Sequence, residues 1–229
     1  MTDSALRELA DDPSSRKRFF KMLGGAGAVS AFSVALAACG DDDKKKDAPA
    51  PVAKSADDSN TSDLKILNYA LTLEFLEADF YAKTIASGLV KDPKVASIAK
   101  KFGSTEQEHV DALIATIKKL GGTPVAAPKS NFQPTFDKGL MATLNAAADV
   151  ENLGAAAYLG QAGNIKNKEV LAAALAIHTV EARHAAALNT LVGRGFGGKG
   201  GLKGALPDGA FGKPMDMDSV LAAVKPFLA

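Results

Sequence analysis

Ile177-His178-Thr179-Val180-Glu181-Ala182-Arg183-His184-Ala185-Ala186-Ala187-Leu188 sets a carboxylate and an imidazole inside an apolar helical stripe. At about 100° of rotation per residue, Glu181 and His184 project from nearly the same side as Ala174, Ile177, Ala185, Leu188 and Val192. An unpaired ionised carboxylate in such a stripe costs several kcal/mol or takes up a proton, and a bound cation removes that cost. One Glu-x-x-His says little, because such pairs are common on helices. The chain carries the pattern again at Glu106-Gln107-Glu108-His109, centred on Phe102, Val110, Leu113, Ile117 and Leu120. Two of the three histidines in the sequence fall in these two copies.

Two further stretches each centre a glutamate in an apolar stripe. Glu74 lies among Leu67, Ala70, Ala78, Tyr81 and Ile85; Glu151 lies among Leu144, Ala147, Ala155, Tyr158 and Ala162. In both, a tyrosine follows two helical turns later on the same face. The order Glu…Tyr, Glu-x-x-His, Glu…Tyr, Glu-x-x-His is an internal duplication of a helical hairpin. The spacing from Glu74 to Glu106 is close to that from Glu151 to Glu181.

This set resembles the ferritin-like di-iron and di-manganese carboxylate proteins, in which two helices supply one Glu each and two supply Glu-x-x-His. The run Leu67-Asn68-Tyr69-Ala70-Leu71-Thr72-Leu73-Glu74-Phe75-Leu76-Glu77-Ala78-Asp79-Phe80-Tyr81 is similar to exported ferritin-like domain proteins related to desiccation-associated proteins. The resemblance covers about residues 63–193 and the C-terminal tail. It implies an all-α fold: an antiparallel four-helix bundle with one long crossover connection, a short C-terminal helix, and two bound Fe or Mn ions. By the same resemblance Glu106 and Glu181 bridge the two ions. Glu74 with His109 completes one position, and Glu151 with His184 the other. Carboxylates and neutral imidazoles suit Fe and Mn, and bridging carboxylates hold two cations about 3.5–4 Å apart. Tyr81 and Tyr158 stand over the site as donors to ligand carboxylates, and are the candidate catalytic side chains beside the metals.

Glu77, about 60° from Glu74 around the helix, is the rival ligand on the first helix. Its duplicate is Gly154, so symmetry favours Glu74. His178, about 60° to the other side of Glu181, reads as a hydrogen-bonded wall residue beside the site.

Composition narrows the class. The chain has 229 residues, 47% of them hydrophobic, enough for one domain with a sizeable core. Abundant alanine, no tryptophan and 6% aromatics suit closely packed helices better than a β-sandwich. Net charge is +1, and the part beyond residue 39 carries equal numbers of basic and acidic residues, which gives nucleic acid no electrostatic footing. The glycine-rich run from Gly193 to Gly204 holds one arginine and reads as a flexible loop rather than an RNA-binding tail. With Cys39 as the single cysteine, an internal disulfide, an iron–sulfur cluster and a Cys-x-x-Cys module are excluded.

Residues 1–39 read as a targeting segment. Ser15-Arg16-Lys17-Arg18-Phe19-Phe20-Lys21 resembles the twin-arginine export signal, with Lys17 where the second arginine is usual. Met22–Ala38 is too short and too mildly apolar for a membrane span, and it ends in Leu36-Ala37-Ala38-Cys39, which matches the lipobox of bacterial lipoproteins. Lipid on Cys39 tethers the exported chain to a membrane of the cell envelope, placing it at the envelope or in the periplasm. Residues 40–62, charged and then rich in Ala, Pro, Ser and Asp, are expected to form a disordered linker. Residues 63–193 are the bundle, with its first helix opening at an Asp63 cap. Residues 194–229 are the glycine-rich tail with a short helix capped by Asp218 or Ser219. The residues 123–133, with Pro124 and Pro128, are long enough to cross the bundle, and the third helix is expected from about Thr135 to Ala162.

Two function classes follow. One is an exported di-metal oxidoreductase of ferroxidase, peroxidase or catalase kind, with O₂ or peroxide as oxidant. The other is a non-catalytic envelope or desiccation-stress protein that works by interaction, in which oligomers have a place. Iron storage in a closed cage fits poorly with a tethered chain.

Overall fold

The computed structural model describes residues 56–195 and 211–229. The expected signal segment 1–39 with Cys39, most of the expected linker, and residues 196–210 of the glycine-rich stretch lie outside the described residues. Among the described residues the fold is all-α: α1 (Ala56–Ala86), α2 (Pro93–Lys119), α3 (Gln133–Phe136), α4 (Leu140–Ala162), α5 (Lys168–Leu191) and α6 (Met217–Val224), with a 3₁₀ turn at Lys225–Phe227. The four long helices make the bundle.

Punctuation of the chain is local chemistry. Gly88 and Gly121 adopt φ of 68° and 78°, a left-handed conformation that ends a helix at little cost when the residue is glycine. Asp92 accepts from Lys94 N and Val95 N to cap α2, whose first turn holds Pro93. Asn167 caps α5 in the same way.

Three boundaries differ from those read in the sequence. The first helix begins at Ala56, ahead of Asp63. Asp63 instead sits buried inside α1, and its two oxygens accept from Lys166 N at 2.8 Å and Asn167 N at 2.7 Å in the α4–α5 turn. It caps a neighbour's loop, not its own helix. The expected third helix is divided: α3 stops, Gly139 takes φ 87°, and α4 starts at Leu140. At the C-terminal end the cap is Asp216, which accepts from Ser219 N at 2.8 Å. Asp63→Ala leaves two part-buried N–H groups without their charged acceptor, at a cost of about 2 kcal/mol. Thermal unfolding should come about 4–8 °C lower, with the rest of the bundle intact by circular dichroism.

Residues 120–132 form the crossover. Val125 N donates to Asn68 Oδ1 at 2.8 Å near the middle of α1, and Lys83 Nζ donates to Ser130 O at 3.1 Å near its C-terminal end. Those two anchor points are separated by about 22 Å of helix. The C-terminus clamps the far end: Ser130 and Leu228 form an antiparallel bridge, and Ala229 N donates to Lys129 O at 2.9 Å. Met215 N also donates to Ala156 O at 3.0 Å, where the absence of a side chain on Gly160 lets the Met215 backbone approach α4.

The core is two apolar clusters. One gathers Ile66, Leu71, Val110, Leu113, Ile117, Val170 and Ile177; the other gathers Leu76, Phe80, Phe132, Phe136, Leu188, Val220 and Val224. On α1, α2 and α5 the stripe glutamate falls between residues of the first cluster and residues of the second. The polar layer is therefore sandwiched between apolar ends.

Candidate metal centre

The 3.6-residue period that buries the leucines also buries the acids. Glu74, Glu106, Glu151 and Glu181 are 0–1% exposed, and His109 and His184 are 8% and 6% exposed. Leaving one such carboxylate ionised and alone costs several kcal/mol, about as much as burying one to three leucines supplies. Four together need a shared counter-charge.

The side chains meet in two overlapping groups. Ligand-type atoms of Glu74, Glu106, His109 and Glu181 lie within 4.8 Å of one another, as do those of Glu106, Glu151, Glu181 and His184. Glu106 and Glu181 belong to both. His109 Nδ1 is 2.8 Å from Glu106 Oε2, 3.1 Å from Glu74 Oε2 and 3.2 Å from Glu181 Oε1. A ring nitrogen carries at most one proton, so three carboxylates around it outnumber what it can serve. His184 Nδ1 lies 2.7 Å from Glu106 Oε1 and 3.3 Å from Glu151 Oε2. These contacts are close but off the hydrogen-bond direction: His184 Nδ1, Glu106 Oε1, Glu151 Oε2 and both Glu181 oxygens have no hydrogen-bond partner. Buried polar atoms near one another and bonded to nothing are what atoms aimed at a common third centre look like. The donor set, carboxylate oxygens with imidazole nitrogens, is of the kind Fe and Mn accept. The cluster allows metal binding.

Electrostatics without a cation are correspondingly tense. Burial, then the neighbouring carboxylates, pushes Glu181 well above the ordinary carboxylate range. Burial likewise raises Glu74 and Glu151. Burial works upward on Glu106 too, but the imidazoles of His109 and His184 prevail and hold it at about 2. Burial works to lower His184, but the carboxylates of Glu106 and Glu151 prevail and raise it to about 9.

Each tyrosine serves the opposite hairpin. Tyr81 on α1 donates to Glu151 on α4, and Tyr158 on α4 donates to Glu74 on α1 at 2.5 Å. Both phenols are raised well above their usual range, by burial first and then by the carboxylates they face. They are proton donors at neutral pH. Gly103 lets α2 come this close: a Cβ there would stand 2.8 Å from Tyr81 Cβ.

The structure puts Glu77 within the buried polar layer but in neither four-residue group. His178 is half-buried, its Nδ1–H donates to Ala155 O at 2.9 Å, and it belongs to neither four-residue group. Sequence reading missed Phe102 as part of the site. Its ring stacks on the His184 imidazole, with centroids 3.8 Å apart and planes 19° apart, and meets Tyr81 edge-on at 6.1 Å. Its position one turn before Glu106 on the same stripe was the available signal.

No curated protein matches the chain. The family model described as the ferritin-like domain matches residues 62–194, the stretch that contains every buried acid and histidine of the centre. On that match, together with the all-helical bundle around it, the chain belongs to the ferritin-like domain family.

Proposed function

We propose that the protein is an exported, lipid-anchored di-metal protein whose centre binds two Fe or Mn ions and performs ferroxidase-, peroxidase- or catalase-type redox chemistry on O₂ or peroxide. The observation that carries the reading is the pair of four-residue groups sharing Glu106 and Glu181. The four ionised carboxylates of these two groups balance two divalent cations, so the charge that is strained without metal is offset with it. When bound, such ions exchange electrons with the oxidant. The chain's own residues do the rest. Glu106 and Glu181 serve both positions, while Glu74 with His109 and Glu151 with His184 serve one each. Tyr81 and Tyr158 orient the terminal carboxylates Glu151 and Glu74 and hold a proton on each phenolic oxygen. Phe102 fixes the plane of His184 and keeps water from that side. The apolar clusters above and below exclude bulk solvent.

Anaerobic titration with Fe(II), followed by oxygen, tests the proposal. Saturation at two Fe(II) per chain with fast oxidation on adding oxygen is the expected result. Saturation without oxidation favours the second reading, a non-catalytic envelope or desiccation-stress protein. That reading has the depth of the site behind it, since the four carboxylates are 0–1% exposed. No saturation with Fe(II) or Mn(II) would sink the metal reading.

Export and anchoring rest on Leu36-Ala37-Ala38-Cys39. The mature chain should begin at a lipid-modified Cys39, as intact mass of the membrane fraction would report. Cys39→Ser should release the protein into the soluble envelope fraction with its melting temperature unchanged. A mature N-terminus elsewhere contradicts the anchor.

A further inference from the structure

Glu77 is the acid that a scheme of two matched halves leaves over. It is 2% exposed, and its Oε2 has no hydrogen-bond partner. Its neighbours show where it reaches. A Cβ on Gly154 would stand 2.9 Å from Glu77 Oε1 and 2.7 Å from Glu181 Oε2. Glu77 therefore extends from α1 across to α4, and its carboxylate shares with Glu181 Oε2 the space that a side chain at residue 154 would fill. The other oxygen of Glu181, Oε1, lies 3.2 Å from His109 Nδ1. Glu181 thus turns one oxygen to the Glu74–His109 group and the other to Glu77.

Residues 77 and 154 occupy the same place in the two halves, each three residues after its stripe glutamate. One half contributes an acid there and the other contributes the room for it. A glycine in the middle of a helix costs about 1 kcal/mol relative to alanine, so its presence at this contact has a local reason.

We propose, resting on the di-metal reading above, that Glu77 is a fifth carboxylate of the metal centre, standing beside Glu181 Oε2 on one side of it and making the two metal positions unequal. Five carboxylates carry one more negative charge than two divalent cations neutralise. The position beside Glu77 is accordingly the one that binds first and most tightly.

The test is Mn(II) titration of the metal-free chain, followed by calorimetry and by electron paramagnetic resonance, for the native sequence, Glu77→Gln and Gly154→Ala. The native chain should take up two Mn(II) in two resolved steps. Glu77→Gln is isosteric, should still bind two, and should weaken the tighter step by about 10- to 100-fold so that the steps merge. Gly154→Ala, which crowds Glu77 and Glu181 without removing a charge, should weaken that same step. The melting temperature of metal-free Glu77→Gln should rise, because a buried unpaired acid has become an amide able to donate to Glu181. A merely structural Glu77 would give the opposite sign, with a lower metal-free melting temperature. That result, or two unchanged binding steps in Glu77→Gln, overturns the inference while leaving the di-metal reading standing. Failure of the native chain to bind Mn(II) or Fe(II) overturns both.

Discussion

Glu181→Ala is expected to strip the centre of nearly all its metal, whereas Glu74→Ala should retain one ion per chain. Glu181 belongs to both four-residue groups, so its loss removes a contact from each ion, and Glu74, Glu106 and Glu151 are left around the gap. At no less than about 10–100-fold in affinity per contact, the pair loses at least roughly 100- to 10,000-fold. Glu74 serves one group only. Its truncation weakens the position built with His109 and leaves Glu106, Glu151, Glu181 and His184 in place. Metal per chain by elemental analysis after identical loading decides between them. Equal metal content in the two variants would mean that Glu181 does not bridge, and native content in both would mean that these glutamates are not ligands.

The second large effect is on stability. An ion bound only by the native state, at a free concentration a thousandfold above its Kd, stabilises by about 4 kcal/mol. For a bundle of this size that raises the melting temperature by about 8–16 °C per ion. The gain should grow with pH. His184 titrates at about 9 in the folded chain against an ordinary 6.5, so its contribution is complete below pH 6.5 and lost as pH rises through about 9. That loss is about 3 kcal/mol. Glu181 and Glu77 are raised as well, by burial and then by their neighbours, and act with the same sign. Glu106 runs the other way: held at about 2, it stabilises above the usual carboxylate range and loses that contribution in strong acid. The metal-free melting temperature should therefore peak at mildly acidic pH and fall steadily towards pH 9. The metal-loaded curve should stay nearly level over the same interval, because the ions replace the protons as counter-charge. Parallel curves with and without Mn(II), measured from pH 5 to 9, would refute this account.

Much of this was legible in the sequence because a glutamate in an apolar stripe contradicts its surroundings. Four such contradictions, two with a histidine one turn on, are hard to satisfy except by gathering them in one place. The helices and the acids at their centres follow from period alone. What was not legible depends on who meets whom across the bundle. Asp63 has the form of a cap at a helix start, but which N–H groups it caps is decided where the α4–α5 turn lands. Gly139 interrupts the third helix by its left-handed φ, which the flanking residues do not announce. Gly154 reads as a missing ligand; only the packing of α1 against α4 shows it as space for Glu77. Phe102 reads as core until His184 is found against its face.

The crossed tyrosines bear on how the chain came to be a single polypeptide. Tyr81 of the first hairpin satisfies Glu151 of the second, and Tyr158 of the second satisfies Glu74 of the first. Neither hairpin alone carries the phenol that donates to its own buried acid. A gene encoding only one of them would yield a product that completes itself by pairing with another copy, each lending its phenol to the other. Such a homodimer has the same crossed bonds, now between identical chains. Fusion of two copies keeps those bonds and removes the need to find a partner. It also frees the two halves to differ, as they do at residues 77 and 154.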